Sequence, residues 1–203
     1  MSISLTWPCA NLPTMIKQSL SYDIIISGAG PTGLCLAKAL SGHGLRIAVI
    51  DPQTETAIAN PGFDGREIAL TQRSVDILLK LDLWRRFSPN DLSPLRHARV
   101  INGQSPHSML ISQQLSRNDE LGWLISNHFI RRAAYEAVVD ACDVTLLFND
   151  TVSDASSTAL SAQVQLSSGN ILHSQLLVAA DSRFSSTRRA FGIAADMHDF
   201  GRS

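Results

Sequence analysis

Gly28, Gly30 and Gly33 stand in the pattern Gly-x-Gly-x-x-Gly, with Pro31 and Thr32 inside it. Each glycine in such a pattern has a physical task. Gly28 permits a tight turn, Gly30 lets the backbone come close to a pyrophosphate, and Gly33 lets a following helix pack closely. A helix opened there directs its free N–H groups and positive dipole end at phosphates. Pro31 suits the first turn, where no N–H is needed. About 20 residues on, Asp51 offers a carboxylate to ribose hydroxyls and would repel a 2′-phosphate. The chemistry is dinucleotide binding, FAD or NAD rather than NADP. Fingerprint and acid leave those two open.

These residues need a strand, a helix and a second strand to hold them. Tyr22–Ser27 is a short β-branched apolar run, Leu34–Leu40 is helical in composition, and Arg46–Asp51 is again continuously apolar. Runs without alternation suit strands covered on both faces, as in a parallel sheet, and the three together make a βαβ unit. Residues 52–65, with two prolines and two glycines, read as a loop. The spacing of Ile68, Val75, Leu78, Leu79 and Leu83 predicts a helix over 66–87, with Trp84 and Phe87 packing at its end.

Strands are predicted at Ala98–Ile101, Met109–Ser112 and Trp123–Ser126, then a helix from Phe129 to Ala141 and a strand at Val144–Phe148. Gln163–Leu166 and Ile171–His173 flank Ser167–Asn170, a hairpin signal. Leu176–Ala180 is predicted as a final buried strand running into Asp181. The fold class is α/β, a Rossmann-like parallel sheet carrying additional antiparallel strands.

Composition narrows the function from another side. The chain has 203 residues, of which 44% are hydrophobic and 17% charged, so it can bury a core and is no disordered segment. With 17 Lys and Arg against 18 Asp and Glu, the net charge is -1, too near neutral to grip a nucleic-acid backbone. Cys9, Cys35 and Cys142 are too scattered for a disulfide framework, and the six histidines lack ligand spacing, so no metal is expected. No apolar run reaches the roughly 18 residues of a membrane span. No signal peptide is visible either; residues 1–20 read as a disordered extension.

Three segments carry a resemblance. They are the fingerprint, Gly65–Ser74 with the helix after it, and Leu177–Arg189 with its Ala-Ala-Asp-Ser-Arg run. Over residues 21–203 the chain resembles the N-terminal half of class A FAD-dependent aromatic hydroxylases, in their ubiquinone-biosynthesis branch. Phe63–Leu70 and Leu121–His128 look most like 5-demethoxyubiquinol 5-hydroxylases. The resemblance implies FAD as cofactor, with NAD(P)H as co-substrate, and O₂-dependent hydroxylation of a phenol or quinol ring.

It also implies roles for particular residues. Arg66 corresponds to an arginine that reaches FAD near its pyrophosphate, a task suited to a bidentate guanidinium; the alternative is a solvated arginine at a helix start. Asp181 corresponds to the acid of a second cofactor motif, although Asp is also an ordinary helix N-cap. Asn127 and Arg132 fall where the family places flavin-binding side chains, and a solvated helix face would account for Arg132 as well. Ser182 departs from the family glycine, at a place where a side chain resists φ above zero.

No side chain stands out as a catalytic acid or base. A third, C-terminal motif of the family is not in these 203 residues, so the resemblance implies an incomplete FAD-binding domain, inactive alone, from a protein about twice as long. The expected partners are the aromatic or quinol substrate and other ubiquinone-biosynthesis enzymes. The expected location is the cytoplasm, with peripheral contact at the inner membrane surface. Competing readings are another hydroxylase or a reductase on the same fold, or an inactive nucleotide-binding remnant.

Overall fold

The computed structural model describes residues 19–103, 106–115, 119–198 and 201. After β1 (Ser19–Ser21) comes β2 (Ile24–Ser27), buried along its whole length. Pro31 starts α1 (Pro31–Leu40), and β3 (Ile47–Asp51) is again buried throughout. β2 and β3 pair in parallel, which makes the predicted βαβ unit. Residues 19 and 20, expected in an extension, belong to β1; the rest of that extension lies outside the described residues.

The stretch predicted as loop contains α2 (Glu55–Ala59), capped by Thr54, whose hydroxyl accepts the Ala57 N–H at 3.2 Å. The helix predicted over 66–87 divides into two elements. β4 (Glu67–Thr71) alternates exposed and half-buried residues, and helix begins only with α3 (Gln72–Lys80), where Val75 and Leu78 are buried. Ile68 and Leu70 fit a period of two, and pairing with a later strand decides for β. Phe87 is core, and Trp84 meets Phe87 and Trp123 edge-on, at 5.7 and 5.9 Å between centroids.

The chain continues through β5 (Ser93–Leu95), β6 (His97–Ile101), β7 (Ser108–Ser112) and β8 (Gly122–Ser126). Next come α4 (Asn127–Glu136), β9 (Val144–Phe148) and β10 (Val152–Ser157). The predicted hairpin is β11 (Ala162–Leu166) with β12 (Ile171–Ser174), and the last elements are β13 (Leu176–Ala179) and α5 (Ser186–Ala190).

The central sheet runs β13-β2-β3-β9, all parallel, and a second sheet runs β1-β12-β11-β10. β4, β8 and β5 form an antiparallel sheet, and β6 with β7 a two-stranded one. Alternate residues of the central strands serve two cores. Ile24, Ile26, Ile47 and Val49 pack with residues of α1 and α4, while Ile25, Ala48 and Ile50 pack with Val164, Leu166 and Leu172 of the second sheet. Both faces are covered, so these strands carry no polar alternation. The two edge strands differ: β9 is half-buried throughout, and β13 is more exposed. Expected to be buried, β13 is an edge strand hydrogen-bonded only to β2 among the described residues, and Leu176 is 52% exposed.

Candidate functional site

Parallel register brings the carboxyl ends of the central strands to one edge. Ser27 lies opposite Ile50 and Ala179, and Asp51 opposite Phe148. Ligands of open parallel sheets bind outside this edge. A cleft of about 540 Å³ lies there, within the usual range for small-ligand sites. Gly28, Gly30, Pro31, Asp51, Arg66, Asn127 and Asp181 line it, which brings together seven of the ten residues singled out in the sequence.

The glycines do three different things. Gly28 has φ of 109°, and a Cβ there would sit 2.5 Å from the Ala180 carbonyl oxygen. A Cβ at Gly33 would overlap the Gly28 carbonyl oxygen, so α1 and the turn can only approach this closely with glycine. At Gly30 a Cβ would meet nothing within 4 Å; the open space is the cleft itself. Gly30 caps α1 with no side-chain hydrogen bond, and no acidic residue stands in the first turn. The uncapped N–H groups and the dipole there suit an anion.

Asp51 is 6% exposed and ties the turn to its strand. Its Oδ2 accepts the Ala29 N–H at 2.7 Å and its Oδ1 the Gln53 N–H at 2.9 Å. A carboxylate has about four acceptor positions, so room for ribose hydroxyls remains.

Asp181 is the sharper test of fit. Its Oδ2 accepts the Thr187 N–H at 3.1 Å, the Thr187 hydroxyl at 3.0 Å and the Ser186 hydroxyl at 3.4 Å. Its Oδ1 is buried and has no hydrogen-bond partner among the described residues. Burial pushes its pKa up, but hydrogen bonds from the turn that opens α5, those of Thr187 among them, outweigh that and hold it below the usual carboxylate value. Asp181 is itself one of the residues lining the cleft. A buried unpaired acceptor costs about 1–3 kcal/mol, which a hydroxyl of a bound dinucleotide would relieve. The N-cap of α5 is Ser185, whose hydroxyl accepts the Arg188 N–H at 2.9 Å; Asp181 supports that turn and keeps an oxygen for a ligand. The residues present therefore fit a dinucleotide, FAD among them.

Ser182 holds φ of 79°, the left-handed conformation its family glycine would adopt. A side chain there costs about 1–2 kcal/mol, and glycine returns part of that after its own entropy loss. Ser182→Gly should raise unfolding stability by up to about 1 kcal/mol in denaturant titration. A fall would mean that the serine side chain stabilises the turn.

Three expected residues are off the cleft wall: Gly33, packed against the Gly28 carbonyl, Thr32 and Arg132. Thr32 is exposed on α1 and its side chain is off the cleft wall. Arg132 lies 3.8 Å from Glu136 and places its guanidinium 5.2 Å from the Phe129 ring centroid, also off the cleft. Its neighbour Arg131 lines the cleft and donates to Gln53 Oε1 at 3.1 Å. The reason is helix phase: Asn127 and Arg131 are four apart and share a face, from which Arg132 is rotated. Arg66 precedes β4 rather than a helix. Sequence reasoning also misses Gln53, Asp150, Thr151 and Val152 on the wall; only their position just beyond β3 and β9 could have signalled them.

Known proteins share this fold. The FAD binding domain family matches residues 21–202. The ubiquinone hydroxylase UbiM of Neisseria meningitidis is 46% identical over 92% of this chain and 41% of its own length. The ubiquinone hydroxylase UbiL of Rhodospirillum rubrum is 27% identical over 97% of this chain and 45% of its own. The chain thus spans less than half the length of these relatives. Among solved structures, the p-nitrophenol 4-monooxygenase PnpA of Pseudomonas putida superposes with a TM-score of 0.69 at 15% identity, over 85% of this chain and 44% of its own. The flavin-dependent monooxygenase PieE, solved with FAD and substrate, gives 0.69 at 19% identity over 87% and 33%. These two likenesses concern the fold.

Proposed function

The chain belongs to the FAD binding domain family, and on that premise we propose that it forms the cofactor-binding part of an FAD-dependent monooxygenase. Its reaction is hydroxylation of a phenol or quinol ring with O₂ and NAD(P)H, at the demethoxyubiquinol step of ubiquinone biosynthesis. The observation that carries this reading is the 46% identity to a ubiquinone hydroxylase over 92% of the chain. Bound FAD would supply a ring that takes a hydride from NAD(P)H and delivers electrons to O₂.

The chain's own part is to hold that cofactor. Gly30 and the first turn of α1 receive the pyrophosphate, and Asp51 the ribose hydroxyls. Arg66 adds a cation beside the phosphates, and the spare Oδ1 of Asp181 takes a hydroxyl from the linking chain. Asn127 and Arg131 complete the wall on the α4 side. A polyprenylated quinol dissolves in the bilayer, while no helix among the described residues is long and apolar enough to cross one. In this reading the enzyme meets its substrate at the membrane surface, alongside other enzymes of the route.

The test has two arms. Acid precipitation of the purified natural protein should release FAD into the supernatant; NAD in its place would overturn the cofactor assignment. Deleting the gene and extracting quinones should show accumulated demethoxyubiquinone with little ubiquinone. Normal ubiquinone, in a strain with no second hydroxylase for that carbon, would rule out the step and favour a soluble aromatic substrate.

A further inference from the structure

Asp64 is a carboxylate at the cleft margin to which the reading above gives no task. Its Oδ2 accepts from Arg66 Nε at 3.0 Å, from Arg66 Nη2 at 2.5 Å and from Asn127 Nδ2 at 2.7 Å. Its Oδ1 accepts the Arg66 backbone N–H at 3.2 Å. One carboxylate therefore gathers a residue of the turn before β4 and the first residue of α4, and both of these line the cleft. The backbone closes the same junction, because the Asn127 N–H donates to the Arg66 carbonyl at 2.9 Å. The pairs with Arg66 and then Asn127 hold the Asp64 carboxyl well below the usual carboxylate range, so it stays charged.

The remaining chemistry of Arg66 gives this arrangement its meaning. A guanidinium has five N–H donors in a planar fork, and Asp64 occupies two of them. Three remain for another acceptor. Arginine otherwise has many rotamers to lose when it meets a phosphate, and its side chain here is 65% exposed, with little packing to fix it. Asp64 removes that freedom before a ligand arrives.

We propose that Asp64 is a positioning residue that fixes Arg66 and Asn127 side by side for the phosphate-bearing part of the dinucleotide. This rests on the FAD reading above. Asp64 acts through Arg66 and Asn127, so its effect must depend on them.

The experiment is FAD titration of flavin-free natural protein, followed by flavin fluorescence, in wild type, Asp64→Ala, Arg66→Ala and the double variant. Asp64→Ala should raise the Kd about tenfold, and much less once Arg66 is already alanine. Asp64→Asn, which keeps an acceptor oxygen but no charge, should fall between wild type and Asp64→Ala, and it covers the case in which the alanine variant does not fold. An Asp64→Ala protein within twofold of wild type would overturn the inference. An equal loss with and without Arg66 would too, since that marks a merely structural role. A wild-type protein that takes up no FAD would overturn the FAD reading and this inference together, whereas normal uptake with a silent Asp64 overturns the inference alone.

Discussion

Gly33→Ala is expected to destabilise the protein by about 3 kcal/mol, the upper range for forcing extra volume into a packed site. On an exposed helix the same change would add about 1 kcal/mol of stability, because alanine is the better helix former. The sign is reversed here by one atom. A Cβ at 33 would overlap the carbonyl oxygen of Gly28, and Ile26 Cγ2 would stand only 3.3 Å away on the strand side. A backbone oxygen cannot rotate aside, so α1 must lift from β2. Lifting it moves the helix N-terminus off the cleft, so FAD uptake should be lost as well. Thermal unfolding with and without FAD checks both parts. A variant as stable as wild type would show that the turn and helix have slack between them.

The second large effect is expected at Asp51. Asp51→Asn presents an amide to the two backbone N–H groups of Ala29 and Gln53, and its NH₂ cannot accept from either. The ribose also loses a charged acceptor, and such hydrogen bonds are worth about 1.5–3 kcal/mol. FAD affinity should fall by roughly one to two powers of ten, since 1.4 kcal/mol is tenfold. Calorimetric titration of the flavin-free protein measures it. An unchanged Kd would mean that Asp51 only fastens the fingerprint turn to the end of β3.

The parts of the fold that local chemistry dictates are the parts the sequence reveals. β2, α1 and β3 are readable because two buried faces leave strands uniformly apolar, and because glycine and proline punctuate the turn between them. β4 is not, since Ile68 also falls on the helical spacing that runs on through Val75, Leu78 and Leu79, until β8 pairs with it and Leu70 in antiparallel register. α2 hides in a stretch rich in proline and glycine, where its sign is the Thr54 cap. β13 reads as buried because its residues are apolar, and nothing local tells an edge from a centre.

The site follows the same division. Gly28, Gly30, Asp51 and Asp181 stand at strand ends, so the strands themselves announce them. Choosing between Arg131 and Arg132 requires the phase of α4. Starting that helix at Phe129 instead of Asn127 hides the single turn that links Asn127 to Arg131.

The close approach of Gly28 to Ala180 has a consequence for when the cleft comes into being. The fingerprint turn is complete in sequence by residue 33, yet its wall includes Ala180 and Asp181, and its sheet closes only when β9 and β13 dock beside β3 and β2. Parallel pairing across such separations is slow, because the intervening chain must lose its freedom before the contacts form. During synthesis the glycine loop emerges early and waits for nearly the whole remaining chain described here. A nucleotide that binds only the assembled sheet is therefore expected to slow unfolding rather than to speed folding.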